Sequence, residues 1–383
     1  MSILNWLRGG VIDTYDNLWI KNKESVDIEK LKTKTYRSII QTHPLTVEQK
    51  ESIDDLYRKN YGKRITYEWH QFYAAHSGKF TAEYFPDYLL QAHFEHYMNY
   101  NSRYAYVFED KNVIPYVAKS AGVKMPKTVL SSTCGMFRDG EGNPLKTEKV
   151  CDYIKERGKL FCKPSTISCG GRGCFIKDFS ILSNEIVQSL FNEMGKDFVI
   201  QELIHCHPSI SFLYSKSVNT FRVITYRWKN EFFHMPVFMR IGRGGAVVDN
   251  GASGGMFIGI TDNGFLTDYA VSVKELSIPT HPDTGAVFKG YQIPNFQRVI
   301  NCAIKMHQMM PQIGLVYWDF TLDDNCDPVL IECNIINGTV YAIQMTHGVG
   351  PFGERTQEVL SWIRKMDSLP ASKRNIYSFG EGS

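Results

Sequence analysis

Nine cysteines stand in this chain without a single C-x-x-C pair. With an odd total in 383 residues, that absence argues against a disulfide framework and for separate, reduced thiols. No apolar run approaches the ~20 residues that span a bilayer. The opening stretch, MSILNWLRGGVIDTYDNLWIKNK, has neither a basic leader nor a small-residue cleavage site. An excess of one charge is missing too. The 43 Lys and Arg nearly cancel the 40 Asp and Glu, leaving no basic field to draw nucleic acid or anionic lipid. The expectation is a cytoplasmic protein with no nucleic-acid partner and no transmembrane segment; nothing in the sequence sets its oligomeric state.

What is present is ample core material, 43% hydrophobic residues, enough for two or three folding units. Residues 24 to about 100 read as helical. Thr46 with Gln49 makes a capping box before Val47, Ile53, Leu56 and Tyr57, and Gly62 and Gly78 are stops. Trp69, His70, His76, His93 and His96 in this region read as packing and satisfied polar contacts in preference to a metal site. From about 104 the texture changes. Short β-rich runs dominate after 160 (KLFCKP, CFIKDF, DFVIQELI, TFRVITYRW, EFFHMPVFMRIG, LVYWDFTL, PVLIECN), interrupted by helical stretches at 181–194 and 294–310. This predicts an antiparallel-rich α+β fold, divided into a helical module (1–103), two lobes (104–210 and 211–365) and a polar tail (366–383).

The stretch FCKPSTISCGGRGCFIKD admits three readings. Zinc needs about four converging ligands, usually in close pairs, whereas Cys162, Cys169 and Cys174 are spaced x6 and x4 with no partner pair. The Walker phosphate motif also fails, since no Lys-Ser or Lys-Thr follows the glycines. What remains is a strand carrying Lys163, a polar loop with Gly170, Gly171 and Gly173, then another strand. Such a loop can fold its amides onto an anion, or be a plain hairpin turn.

A second stretch adds weight. GLVYWDFTLDDNCDPVLIECN reads as two strands joined by a turn, with Asp319 on the first and Glu332 and Asn334, two apart and so on one face, on the second. Carboxylates among Val316, Trp318, Phe320, Leu330 and Ile331 need a partner, and a hard divalent cation is the natural one; two edge-strand acids facing water are the plainer reading. VVDNGASGGMF adds Asn250, Ser253, Gly254 and Gly255, a loop whose amides can hold a substrate carboxylate or phosphoryl oxygen; a surface loop is its plainer reading.

Lysine strand, glycine hairpin, then a distal Asp and Glu-x-Asn on paired strands is an order that resembles the ATP-grasp superfamily, and in particular its sugar-transfer-associated branch. SVNTFRVITY, RIGRGGAVVDNGASGG, HPDTGAVFKGYQIPNF and YWDFTLDDNCDPVLIECN resemble that branch's blocks, in order, over about residues 104 to 360. The resemblance implies two α+β lobes closing on ATP. It implies that Lys111 and Lys163 hold phosphates under a flap of Gly170, Gly171 and Gly173. Gln201, Glu202 and Leu203 would form the adenine hinge, with His207 as a ribose contact. Arg222 and Arg240 would neutralise the γ-phosphate and the carboxylate it meets, and Asp319, Glu332 and Asn334 would hold Mg2+, ordinarily two ions. The residues after Asn334, IINGTVYAIQMTHGVGP, depart from the Asn-Pro-Gly-like continuation of better-known members, and the helical module departs from their usual leading α/β domain.

The function this implies is a carboxylate–amine ligase working through an acyl phosphate, on a small-molecule carboxylate, such as a sugar acid, and an amine or amino acid, within cell-surface polysaccharide synthesis. A kinase on the same scaffold and a silent nucleotide-binding scaffold are the competing readings. Phosphoryl transfer needs positioning and charge neutralisation and no covalent nucleophile, in keeping with the lack of a convincing Cys-His or Ser-His pair.

Overall fold

The computed structural model describes residues 3–100, 104–166, 171–246, 249, 254–374 and 378–381. Its two sheets are antiparallel throughout. The smaller holds five strands, β1 (Thr128–Thr133), β2 (Met136–Asp139), β3 (Lys159–Pro164), β4 (Phe175–Asp178) and β5 (Phe198–Glu202), in the order β2-β1-β5-β3-β4. The larger holds β6 (Thr220–Trp228), β7 (Glu231–His234), β8 (Val237–Ile241), β9 (Met256–Ile260), β10 (Ala270–Ser272), β11 (Glu275–Ile278), β12 (Leu315–Leu322) and β13 (Pro328–Asn334), ordered β11-β10-β9-β8-β6-β12-β13 with β7 on β6. The α+β expectation therefore holds. The run EFFHMPVFMRIG forms two strands because Pro236, which has no N–H to give a ladder, falls between them.

Alternation along the strands of the large sheet sorts their side chains into two cores. Ile224, Tyr226, Phe238, Leu315 and Tyr317 face the helices of the first hundred residues and the helices Tyr341–His347 and Thr356–Ser368. Phe221, Val223, Val237, Met239, Val316 and Trp318 face the opposite way, onto the helix Phe296–Gln308 and residues 105–123. The small sheet has its own core, closed by the helices Thr147–Lys155 and Asn184–Met194.

The N-terminal helices thus form one layer of the sheet's packing. The first, Ile3–Lys32, begins well before the residue-24 start read from sequence. The helix Val47–Asn60 has both halves of the Thr46–Gln49 capping box, and Gly78 ends the helix Glu68–Ser77 in left-handed conformation. The segment opened by Pro86 runs Asp87–Leu89 and then continues as a π-helix, Leu90–Tyr100. His93 there lies 2.8 Å from Asp367 and 2.9 Å from Glu24. The polar tail is tied back: the Ser372 N–H donates to Asp13, Arg374 pairs with Asp16, and Phe379 is buried.

On the other face, His307 carries a buried relay. Trp318 Nε1 donates to Thr225 Oγ1 at 2.7 Å, the Thr225 hydroxyl lies 2.8 Å from His307 Nδ1, and His307 Nε2 lies 2.8 Å from the Ile313 carbonyl oxygen. These bonds are all made by the neutral Nε2–H tautomer, with the hydroxyl donating to Nδ1. Burial, opposed by the Ile313 bond and aided by Arg227, pushes the imidazole from 6.5 down to about 4. Above 6.5 the ring is neutral folded or unfolded; as pH falls from 6.5 to about 4 the unfolded chain takes the proton first, so up to ~3 kcal/mol of stability is withdrawn. Urea unfolding of wild type and His307→Gln across that window checks this. The variant's stability falls less steeply with acid, and parallel curves would refute the assignment.

Candidate active site

The larger sheet gathers its charged side chains at one place because β6, β8 and β12 are neighbours in register. Asp319 stands opposite Arg222, and Thr220 on β6 stands opposite Arg240 on β8. All share the parity of Ile224, Phe238 and Tyr317, so the site opens on the face that the N-terminal helices cover. Arg222 grips Asp319 bidentately, Nε donating to Oδ1 at 2.6 Å and one terminal nitrogen to Oδ2 at 3.0 Å. Arg240 reaches the same Oδ2 at 3.0 Å, donates to Thr220 Oγ1, and lies 3.6 Å from Asp249. Asp249 in turn accepts the Thr220 N–H at 3.0 Å and the Thr220 hydroxyl.

Burial alone would push Asp319 up, but Arg222 and Arg240 outweigh it and hold the carboxyl below its ordinary value. At Asp249 burial wins, and the carboxyl is raised in spite of Arg240 and Thr220. Burial opposes the Arg240 charge, yet Asp249, Asp319 and Glu332 keep it firmly protonated.

Glu332 stands opposite Asp319 across the β12–β13 ladder and Asn334 opposite Tyr317, with a bulge following Asp319. Both flank the buried Cys333 and so share a face, as the spacing predicts. Asn334 Nδ2 lies 3.5 Å from Asp319 Oδ2, and Glu332, a quarter exposed at 26%, pairs with Lys111 at 3.2 Å. Lys163 on β3 enters from the small sheet, its Nζ 3.5 Å from the Ile331 carbonyl oxygen. It is buried, and burial, helped by Lys111 and opposed by Glu332, pulls it down to about 8. Two groups of contacts thus meet across the β12–β13 ladder: Arg222 and Arg240 on Asp319, with Asp249 behind Arg240, and Lys111 on Glu332, which stands opposite Asp319, with Lys163 on the neighbouring Ile331 carbonyl. Four cations gathered at one place are suited to receive a polyanion.

The other expected residues lie around this centre. Gly171 and Gly173 lie in the β3–β4 connection, both at positive φ; a Cβ at Gly173 would come within 2.9 Å of the Pro164 ring. Gly170, Asn250 and Ser253 lie outside the described residues, as does Cys169, whereas Cys162 is buried in the small sheet with its thiol pushed up to about 12 by burial. Gly254 is exposed, its carbonyl held by Arg243 Nε at 2.7 Å, and Gly255 is buried just before β9. Gln201 turns its amide toward Pro126 and Thr128, and Glu202 pairs with Lys127 at 3.3 Å. Leu203 starts the link from the small sheet to Cys206, which bridges Asp323 in the β12–β13 turn. His207 caps the short helix Pro208–Ser211, its Nδ1 accepting the Ser209 N–H at 3.2 Å.

Four residues escaped the sequence reading. Thr220 is two before Arg222, and Glu109 two before Lys111, so period-2 and local spacing carried a signal; Asp249 adjoins Asn250. Glu109 accepts the N–H groups of Ile335 (2.7 Å) and Ile336 (3.2 Å), directly after Asn334. Glu95, from the π-helix, accepts those of Asn337 (2.7 Å) and Gly338 (2.9 Å) as well as the Tyr317 hydroxyl (2.7 Å), and no sequence spacing announces it. Gly338 is packed so closely on Tyr317 that a Cβ would lie 1.9 Å from its ring. Among the described residues no helix is long and apolar enough to cross a membrane.

A search of curated proteins found none that matches. Among solved structures the chain is similar to D-alanyl-alanine synthetase A from Vibrio cholerae (10% identity, 69% of this chain and 64% of that one, TM-score 0.41). It is also similar to an L-amino acid ligase from Bacillus licheniformis (11%, 70% and 50%, TM-score 0.38). A third is N5-carboxyaminoimidazole synthetase from Staphylococcus aureus complexed with ADP (13%, 60% and 45%, TM-score 0.37). The chain spans about half the length of the first of these structural relatives, 45% to 50%. A family model described as sugar-transfer associated ATP-grasp matches residues 90–359, a span that takes in Lys111, Lys163, both arginines, Asp319, Glu332 and Asn334, and the chain belongs to that family.

Proposed function

We propose that the protein is an ATP-dependent carbon–nitrogen ligase. A substrate carboxylate oxygen bonds to the γ-phosphorus as the bond to ADP breaks; an amine then attacks the acyl carbon, phosphate leaves, and the amine's proton is lost as the amide forms. The observation that carries this reading is the gathering of four cations, Lys111, Lys163, Arg222 and Arg240, about the paired strands that bear Asp319 and Glu332. Lys111 and Lys163 would hold phosphates under the β3–β4 connection, and the chain at Gln201–Leu203 would border the adenine. Arg222 and Arg240, held in place by Asp319, Asp249 and Thr220, would offset charge on the γ-phosphate and the attacking carboxylate. Gly254 and Gly255, with the rest of their loop, would border the substrate.

Asp319, Glu332 and Asn334 bring hard oxygen donors to one face of adjacent strands and would hold Mg2+ once Arg222, Arg240 and Lys111, which occupy the two carboxylates here, turn to phosphate. When bound there, the ion would neutralise phosphate charge. The family's association with sugar transfer supports a sugar-linked acid as substrate; an amine or amino acid as its partner, and a cytoplasmic step of cell-surface polysaccharide synthesis, complete the proposal. Hydroxylamine added with ATP and a panel of uronic acids tests the reading. A trapped hydroxamate is expected, whereas a stable phosphorylated product would replace the ligase by a kinase.

Two further outcomes follow from the site. Glu332→Gln keeps shape but removes the charge opposite Asp319, so turnover falls by roughly 100-fold or more, ~3 kcal/mol, while AMP still binds. Wild-type turnover across a magnesium titration would remove Glu332 from the site. Lys163 starts near 8, and bound phosphates raise it. Above about pH 8 binding must therefore take up a proton, and ATP affinity falls by up to about tenfold per unit. Calorimetric titrations from neutral to alkaline pH check this: Lys163→Arg abolishes the fall, and a flat wild-type profile contradicts it.

A further inference from the structure

The loop that follows Asn334 has a second side. Its four consecutive amides, residues 335–338, are turned onto Glu109 and Glu95, which directs the Asn337 side chain outward into a cavity of about 290 Å³ between the loop, the first helix and the π-helix. Trp19, Lys23, Glu95, His96, Ala105 and Tyr106 complete its lining. Lys23 Nζ donates to Asn337 Oδ1 at 2.7 Å and lies 5.5 Å from the Trp19 ring, which stacks on His96 at 4.3 Å. Tyr106, 70% exposed, stands at the mouth.

The charges say what such a space can hold. Glu95 has both oxygens engaged by the loop and Tyr317, and His96 Nε2 faces Asp16 at 2.6 Å. Lys23 donates to a neutral amide oxygen and is in no salt bridge among the described residues, with the carboxylates of Glu95 and Asp27 near enough to feel its charge. A cation so placed beside aromatic surface suits a small organic anion with an apolar face or ring. The cavity offers one lysine, whereas a nucleotide's phosphates would have the four cations Lys111, Lys163, Arg222 and Arg240.

We propose that this cavity binds a small organic carboxylate, its carboxylate on Lys23 and its body between Trp19 and Tyr106. A carboxylate held at Asn337, beyond Asn334 and away from the arginine pair, serves as a handle. That suits an amine partner carrying its own carboxylate, or the acid substrate itself; in naming reactants the inference rests on the ligase reading. Because the ligand takes Lys23 from Asn337, occupancy is felt by the loop carrying Asn334.

Saturation-transfer NMR on the full chain tests it with glycine, L-alanine, L-glutamate and glucuronate as probes, and glycinamide and glucuronamide as uncharged controls. At least one carboxylate binds with a Kd of about 1 mM or tighter and loses about tenfold or more in Lys23→Met and in Tyr106→Ala, while ATP affinity is kept. The amide controls do not bind. Hydroxylamine separates the sources, since it replaces the amine: if the ligand is the amine partner, Lys23→Met leaves hydroxamate formation intact and raises the KM of the amino acid. If it is the acid, the KM of the acid in hydroxamate formation rises. No binding by any probe, or equal binding in Lys23→Met, overturns the proposal. Hydroxamate formation without Lys23-dependent binding sinks the cavity and leaves the ligase reading. Lys23-dependent binding without turnover of any acid does the reverse.

Discussion

A carboxylate buried between two arginines sets the terms for everything around it. Asp319 is almost completely removed from water, and an unpaired charge there would cost several kcal/mol. Arg222 and Arg240 offset that cost only if β6, β8 and β12 lie side by side in one register, because a slip of one residue sends all three side chains to the opposite face. The sheet order β8-β6-β12-β13 and the electrostatics of the site are therefore one constraint. Thr220 and Asp249 extend it by fixing Arg240 from its other side, so that both guanidinium groups stay oriented.

The helical region is the second support. Its side chains share a core with the sheet face that carries the site, and it sends Glu95 and Asn99 to the strand ends. Asn99 makes every bond available to it: it donates to the carbonyls of Leu315 and Ile335 and accepts the N–H groups of Gly314 and Leu315. Glu95 then takes the next amides along, in a setting where burial pushes it up to about 7 in spite of the bonds from Tyr317, Gly338 and Asn337. The departure after Asn334 from better-known family members and the unusual leading helices are thus in contact: the loop without an Asn-Pro-Gly-like run is the one the helices hold.

What could be read from sequence divides along the range of the interactions. Period 2 placed Glu332 and Asn334 on one face and set Asp319 across from them, since a short turn joins the two strands. The α+β class and the bounds of β3, β6, β12 and β13 were legible for the same reason. The partners of Asp319 were named, Arg222 and Arg240, but as phosphate ligands; that they bind Asp319 depends on strand order, which spacing does not encode. His207 has a local partner, Ser209, whereas Glu202 pairs with Lys127, 75 positions back in the chain. Glu95, more than 200 positions from its amides, and the tail's return to Asp13 and Asp16 are contacts between elements far apart in the chain, which leave no local periodicity.

The π-helix Leu90–Tyr100 has a bearing on what lengths this chain can tolerate. A π-helix hydrogen-bonds five residues back where an α-helix bonds four, so it houses surplus residues within the same axial rise. Glu95 and Asn99 reach their targets in the phase that this wider winding gives them. Deleting one residue here would let the segment rewind as α and rotate one of the two away from the loop or from β12. Substitutions between residues 90 and 100 act on packing or on the bonds of single side chains, but the count of residues there is fixed by two distant strand ends, and any scheme that grafts or trims the helical region must preserve that count.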